Sequence, residues 1–322
     1  MDYIVKSLRN NLTSFYYEDE NIYCKIYKDN NFCNEKLIAK NVFEHYSVCI
    51  AHDSSIYLFC QSKNGDILLC HKSNENIDVK IILQNTIDSI QKVKFTALIS
   101  KKELTLIYNT KTHLLMQQLD ENGKWKKAET IDTYVNFPNT AYITQNTSVE
   151  HLVLFYLTPQ NHLAYREINT ETYSNLNTFY SLEHSVIDTS FLLKRDSLHM
   201  VCIIKNTFSY QLLYRRKDSL GFKNIKILWD SHKIEKCLIF ESQNTIYISF
   251  AMNGQLYIFK SQDNGESFSD MMQYKEWFAV YIKKAIFISE STDSGILTSG
   301  VYISDFDPSN ISLFPEVHKT FD

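Results

Sequence analysis

Glycine and proline are scarce in this chain, at 7 and 4 among 322 residues. A strand-rich fold of this size needs roughly two dozen tight turns, so Asn and Asp must fill many of the turn positions that glycine would otherwise take. Cysteine is present seven times, an odd number with no CxxC spacing. That excludes a dithiol redox motif and a paired-cysteine zinc site. Cys24, Cys60, Cys70 and Cys202 fall inside apolar runs, where a free thiol behaves as a small hydrophobe, and the expectation is a reducing, cytoplasmic setting.

No basic tract is present. The densest clusters, Lys124, Lys126, Lys127 and Arg215, Arg216, Lys217, have acids nearby, and the net charge is -4. Nucleic acid is therefore not an expected partner. The longest apolar run, Leu152 to Leu157, falls far short of the roughly 20 residues that span a bilayer. Met1 to Arg9 carries no apolar segment of the signal-peptide kind, so neither membrane anchoring nor export is expected. A GxSxG elbow, a phosphate-cradling glycine loop and an HExxH helix are also missing. No cofactor and no metal site is expected.

What the chain does have is aromatic and β-branched residues. Its 21 Tyr and 20 Phe contribute to a 14% aromatic share, with 44% of residues apolar and 22% charged. Such side chains favour pleated, half-buried surfaces, and the composition points to an all-β protein. A polar turn followed by an aromatic or large aliphatic residue recurs at Phe32, Ile77, Trp125, Tyr173, Phe222, Phe268 and Ile311, with spacings of 45, 48, 48, 49, 46 and 43. A fixed period in this range means one supersecondary unit per repeat. Within the sixth unit, runs at 236–241, 245–251, 255–261 and 270–274 read as four strands. The second run recurs as Ile56 to Cys60, Leu104 to Tyr108, Leu152 to Tyr156, His199 to Ile203 and Ile246 to Phe250. Continuous apolar runs of this kind fit strands covered on both faces.

The expected fold is a single seven-bladed β-propeller with four antiparallel strands per blade. Its blades would cover about 1–42, 43–86, 87–134, 135–182, 183–231, 232–276 and 277–322. The innermost strand of the first unit is placed near Asp2 to Ser7 and the outer strand of the last near Ser312 to Glu316, so the ring would close without strand exchange. The seventh unit is the weakest, with two registers open between Ser294 and Asp305. A miscounted terminal unit would make the ring six- or eight-bladed.

In the sixth unit the string SQDNGESF holds Ser261, Asp263, Gly265, Ser267 and Phe268, and it resembles the Asp-box (BNR) motif of sialidase-like propellers. Weaker echoes stand at Asp29, Asn30 and Phe32, at Asp120, Asn122, Gly123 and Trp125, and at Asp218, Gly221 and Phe222. The resemblance implies a structural hairpin between a blade's third and fourth strands. It also implies a range of functions, from glycoside-active enzymes through sugar-binding lectins to scaffolds. A sialidase would need three arginines to hold a substrate carboxylate, a geometry lysine reproduces poorly. Arg9, Arg166, Arg195, Arg215 and Arg216 are the chain's only arginines. None lies in a connection to an innermost strand. Trp229-Asp230 is the one pair of WD40 type, and it has no matching Gly-His.

The usual propeller site is the mouth of the central channel, on connections entering the innermost strands. Those connections read FEHYS (43–47), IDSIQ (87–91), VNFPN (135–139), LEHSV (182–186), DSHKI (230–234) and KEWFA (275–279). They place His45, Tyr46, Asp88, Asn136, Phe137, His184, His232 and Trp277 at a candidate binding rim. Glu44, Glu183 and Glu276 are weak catalytic candidates. Each of these residues also fits a plain solvated loop. The first expectation is a non-enzymatic binding or scaffold propeller that engages a protein or a saccharide at the mouth. The alternative is a glycan-active enzyme, hydrolase or lyase, whose chemistry would depend on the separation of two carboxylates.

Overall fold

The computed structural model describes residues 2–7, 11–29, 31–50, 55–73, 76–85, 92–100, 103–110, 113–120, 124–133, 144–148, 151–158, 162–169, 174–175, 177–181, 185–194, 197–278, 282–291, 295–304 and 312–314. Regular structure in these residues is entirely β-strand. No helix there is long and apolar enough to cross a membrane.

Four consecutive antiparallel strands form each basic unit. The first holds β1 (Asp2–Lys6), β2 (Leu12–Glu18), β3 (Asn21–Lys28) and β4 (Asn31–Ala39), and the second holds β5 (Val42–Ile50), β6 (Ile56–Ser62), β7 (Ile67–Ser73) and β8 (Asn76–Leu83). The third has β9 (Phe95–Ser100), β10 (Glu103–Asn109), β11 (His113–Leu119) and β12 (Glu129–Thr133). The fourth has β13 (Thr144–Ser148), β14 (His151–Leu157), β15 (His162–Asn169) and β16 (Asn177–Ser181). In the fifth, β17 (Ser185–Lys194), β18 (Ser197–Lys205) and β19 (Tyr210–Asp218) are followed by β20 (Gly221–Phe222) and β21 (Lys226–Ser231), both paired to β19. The sixth comprises β22 (Lys236–Ser242), β23 (Thr245–Met252), β24 (Gln255–Ser261) and β25 (Met272–Phe278).

The chain is an all-β propeller, but the expectation of seven blades is wrong: among the described residues the strands make six sheets. The last three strands, β26 (Ile282–Ser291), β27 (Gly295–Ser304) and β28 (Ser312–Phe314), do not build a separate blade. Instead β26 runs parallel to β1, from Asp2 opposite Ala285 to Lys6 opposite Ser289, and the two ends of the chain share one seven-stranded sheet. Innermost strands of a ring all run in one direction. Two that come within ladder distance therefore pair in parallel, and here that pairing merges the first and last units.

Apolar clusters link each sheet to the next. Phe15, Ile22 and Cys24 of the first pack against Val48, Leu58 and Cys60 of the second. Ile107 and Met116 meet Leu154 and Tyr156 between the third and fourth, and Phe155 and Tyr165 meet Phe191 and Met200 between the fourth and fifth. Val201 and Tyr214 meet Ile239 and Ile248 between the fifth and sixth. Tyr302 of β27 then packs on Leu238 and Phe240 of the sixth. Within the shared sheet, Ile4, Leu12 and Tyr27 cluster with Phe287 and Val301, joining its two halves. The second strands carry most of this packing; in β18 every residue from Ser197 to Ile204 is buried, as expected of a strand covered on both faces.

Between neighbouring innermost strands, side-chain oxygens accept backbone N–H groups at a near-constant separation along the chain. Ser47 Oγ accepts from Ala97 N at 3.1 Å, Asp188 Oδ2 from Cys237 N at 2.9 Å, and Ser190 Oγ from Ile239 N at 3.2 Å. Asp188 also receives Lys284 of β26, whose Nζ lies 3.0 and 3.1 Å from the two carboxylate oxygens and 2.5 Å from the Thr189 carbonyl. This largely buried ion pair fastens the terminal hairpin to the fifth sheet.

Scarce glycine has the consequence the composition implies. Positive φ is carried by Asp19, Asp29, Asn41, Asn244, Asn253 and Asn264, together with Glu20 and Gln243, as well as by four glycines. The seven cysteines are all free, and six of them are buried.

Breaking a buried ion pair from one side leaves an uncompensated charge. Lys284→Ala should lower unfolding stability by about 3 kcal/mol, read from urea denaturation. Adding Asp188→Asn should recover part of the loss.

Candidate functional site

Strand β27 runs beside β13, β17 and β22, the innermost strands of three successive sheets, and so stands on their axial side. The segment 43–47, expected as a connection, is part of β5, which begins at Val42 directly after the turn at Asn41. Tyr46 is a core residue, not a rim residue. It is buried against Tyr3, and its hydroxyl donates to the Phe15 carbonyl at 2.8 Å. Glu44 is exposed, and the half-buried His45 lies 3.6 Å from it. Burial, then the charge of Lys94, lowers the His45 pKa to about 4, against the opposing pull of Glu44.

His232 is exposed in the connection between β21 and β22. Glu276 and Trp277 belong to β25. Asp88, Asn136, Phe137, Glu183 and His184 lie outside the described residues. Of the three rim histidines, then, the structure describes two, one in a strand and one in a connection. Near Glu44, the Phe43 ring carries Lys63 Nζ at 4.6 Å and Lys92 Nζ at 5.5 Å from its centre, and Lys63 pairs with Glu20 at 2.8 Å.

The turn that holds Ser261, Asp263, Gly265, Ser267 and Phe268 lies between β24 and β25, the third and fourth strands of the sixth sheet. Asp263 Oδ1 accepts from Ser261 Oγ at 2.8 Å and from Ser267 N at 2.9 Å, while Oδ2 accepts from Ser267 Oγ at 2.5 Å. These bonds to the charged form, Ser267's first, bring the Asp263 pKa down to about 2. Gly265 N donates to Ser261 Oγ at 2.8 Å. A side chain at Gly265 would meet Tyr214 Oη at 1.8 Å, and φ there is +85°, so position 265 requires glycine twice over.

This turn is a bearing surface for the fifth sheet. Phe268 packs edge-on to Tyr214 with ring centres 4.8 Å apart. Arg216, almost wholly buried, donates to the Asn264 carbonyl at 2.6 Å and pairs with Glu266 at 2.5 Å and Asp218 at 3.1 Å. Lys226 reaches the Gly265 carbonyl at 2.9 Å. Behind them His199 is fully buried, with Nδ1 2.7 Å from Tyr214 Oη and Nε2 2.8 Å from Ser197 Oγ. Burial, then Arg216, lowers its pKa to about 3. His199 is a satisfied core histidine, and the turn's role is structural.

A different surface has the chemistry of a binding platform. On the first sheet, Phe15, Ile22 and Cys24 point into the core, so their strand neighbours Tyr16, Tyr23 and Lys25 point to the opposite face. The Tyr16 and Tyr23 rings stack, with centres 5.6 Å apart. Tyr16 Oη donates to Glu35 of β4, and Lys25 Nζ lies 4.8 Å from the Tyr16 ring centre and 3.7 Å from Glu35. The rings are half-buried and Glu35 is exposed. Burial, reinforced by the bond to Glu35, raises the Tyr16 pKa, so the phenol stays protonated and donating. Sequence reasoning passed over this set. The signal available was the in-register pairing of Tyr16 with Tyr23 across a turn of only two residues, Asp19 and Glu20.

No family model matches the chain, and no curated protein matches it. Solved structures do match in fold. A triple arginine-to-alanine mutant of AofleA from Arthrobotrys oligospora superposes with a TM-score of 0.52 at 10% identity, over 85% of this chain and 86% of that one. The Aleuria aurantia lectin, described as a six-bladed β-propeller with a novel fucose recognition mode, gives a TM-score of 0.50 at 10% identity over 84% and 94%. Hydrazine synthase of Kuenenia stuttgartiensis gives 0.59 at 9% identity over 97% and 94%. At these identities the likeness is one of fold, and the six-bladed lectin agrees with the six sheets seen here.

The Gly265→Ala variant should lose about 2 kcal/mol or more, read from thermal unfolding. For pH, the two lowered histidines set the sign. The unfolded chain takes up protons below about 6.5 that the folded chain refuses until about 4 at His45 and about 3 at His199. Stability is therefore full above that unfolded value and falls as pH drops through this window. His45→Gln should flatten the fall in urea midpoint between pH 6.5 and 4.

Proposed function

We propose that this chain is a non-enzymatic propeller that binds a saccharide, and that the ligand rests on the face formed by Tyr16, Tyr23, Lys25 and Glu35. The observation that carries this reading is the stacked tyrosine pair flanked by a carboxylate and an ammonium. A pyranose has apolar C–H patches edged by hydroxyls. Aromatic rings with a polar handle offer an apolar body for the first and a wet edge for the second. Glu35 accepts from hydroxyls and Lys25 donates to them. The arrangement needs little reorganisation, because Lys25 and Glu35 already hold Tyr16 in place, and preorganisation is where a small, shallow site gains affinity.

Propeller lectins of like fold support the reading only at the level of architecture. The location rests on the tyrosine pair itself, while β27 runs beside the innermost strands β13, β17 and β22. A protein ligand on the same face is the competing outcome.

Screening the chain on a glycan array, followed by calorimetric titration of any hit, tests the proposal. Tyr16→Ala and Tyr23→Ala should each weaken binding by about tenfold or more, and Glu35→Gln by less. Absence of any saccharide hit, or equal affinity in the tyrosine variants, would reject it.

A further inference from the structure

The outer strand of the second sheet, β8, is an exposed edge that the chain does little to protect. Val79 and Ile81 are 50% and 60% exposed, and Asp78 and Lys80 alternate with them at the surface. Two other outer strands, β4 and β21, are blunted. Strand β4 is broken by two register shifts against β3, and its Glu35 is held by Tyr16 and Lys25. In β21 the exposed Ile227 sits between engaged charges, with Lys226 on the Gly265 carbonyl and Asp230 accepting from Gln211. By contrast β8 keeps an unbroken register with β7 from Asn76 to Ile81. Among the described residues, Asp78 and Lys80 have no ion-pair partner. Long, flat edges with alternating apolar residues are templates for another strand.

The sequence of this edge is complementary to itself. In an antiparallel pair centred on Val79, Asp78 stands opposite Lys80 of the other chain, and Lys80 opposite its Asp78. On the other face Val79 meets its own counterpart, and Ile77 meets Ile81. Opposed charges and β-branched pairs directly across an antiparallel ladder are the favourable combinations, and like charges there are destabilising.

We propose that β8 is a self-association edge: a second copy of this chain adds its own β8 antiparallel about a two-fold axis through Val79. The two second sheets then run on as one eight-stranded sheet. The contact is isologous, so it closes at the dimer and does not propagate into a fibre. A single strand pair lies at the low end of interface sizes, and the dimer should be weak and concentration-dependent.

Sedimentation velocity over a concentration series into the high micromolar range tests this. The native chain should show a monomer–dimer equilibrium. Asp78→Lys alone presents lysine at both charged positions and Lys80→Asp alone presents aspartate at both, so each should lower self-association by about tenfold or more. An equimolar mixture of these two variants should form a heterodimer, because each then meets its opposite charge twice. The double variant Asp78→Lys with Lys80→Asp should dimerise like the native chain. A native chain that stays monomeric, single variants that associate undiminished, or a mixture and double variant that both stay monomeric would overturn the proposal.

Discussion

The parallel ladder between β1 and β26 is the constraint on which the rest of the ring depends. Sheets stacked face to face each bury their apolar surface only if both neighbours are present, and a ring supplies two neighbours to every sheet only when it closes. Here the closing element is backbone pairing between β1 and β26, residues 2–6 with 285–289. The same hairpin sends Lys284 across to Asp188 and Tyr302 onto the sixth sheet. One terminal unit thus joins the first sheet to the fifth and the sixth.

Elsewhere the interfaces combine apolar packing with a polar bridge that differs each time. Asp132 holds Tyr156 and Arg166 between the third and fourth sheets, Lys217 reaches Tyr165 between the fourth and fifth, and Arg216 grips the Asn264 turn between the fifth and sixth. Buried polar groups of this kind are costly unless satisfied, so they tie each sheet to its own neighbour and discriminate against slipped stacking. The arginines that a carboxylate-binding site would have claimed, Arg166 and Arg216, are used in this way.

Much of this was legible in the sequence. The first three runs read as strands in the sixth unit match β22 to β24, the fourth overlaps β25 only at 272–274, and the apolar runs read as second strands are β6, β10, β14, β18 and β23. The turn at 261–268 has the internal bonding its residues suggest. The blade count failed for a physical reason. Periodicity counts turns, whereas a blade is defined by which strands pair, and the apolar runs at Tyr3 to Val5 and Ala285 to Ile288 carry no mark that they would pair with each other. The rim failed at Tyr46 because a polar Glu-His pair was read as a connection, although the alternation Tyr46, Val48, Ile50 already belonged to a strand. The tyrosine pair was missed because Tyr16 and Tyr23 become neighbours only once the hairpin register is known.

Among the described residues the fold is a six-sheet ring whose first sheet holds β1 to β4 together with β26 to β28. Native-state hydrogen exchange read residue by residue tests it most directly. Amides in 2–6 and 285–289 should be protected together and lose protection in the same opening event, with free energies close to those of β23. Independent exchange of the two segments, or rapid exchange of 2–6 while 285–289 stays protected, would contradict the closure and with it the six-sheet architecture.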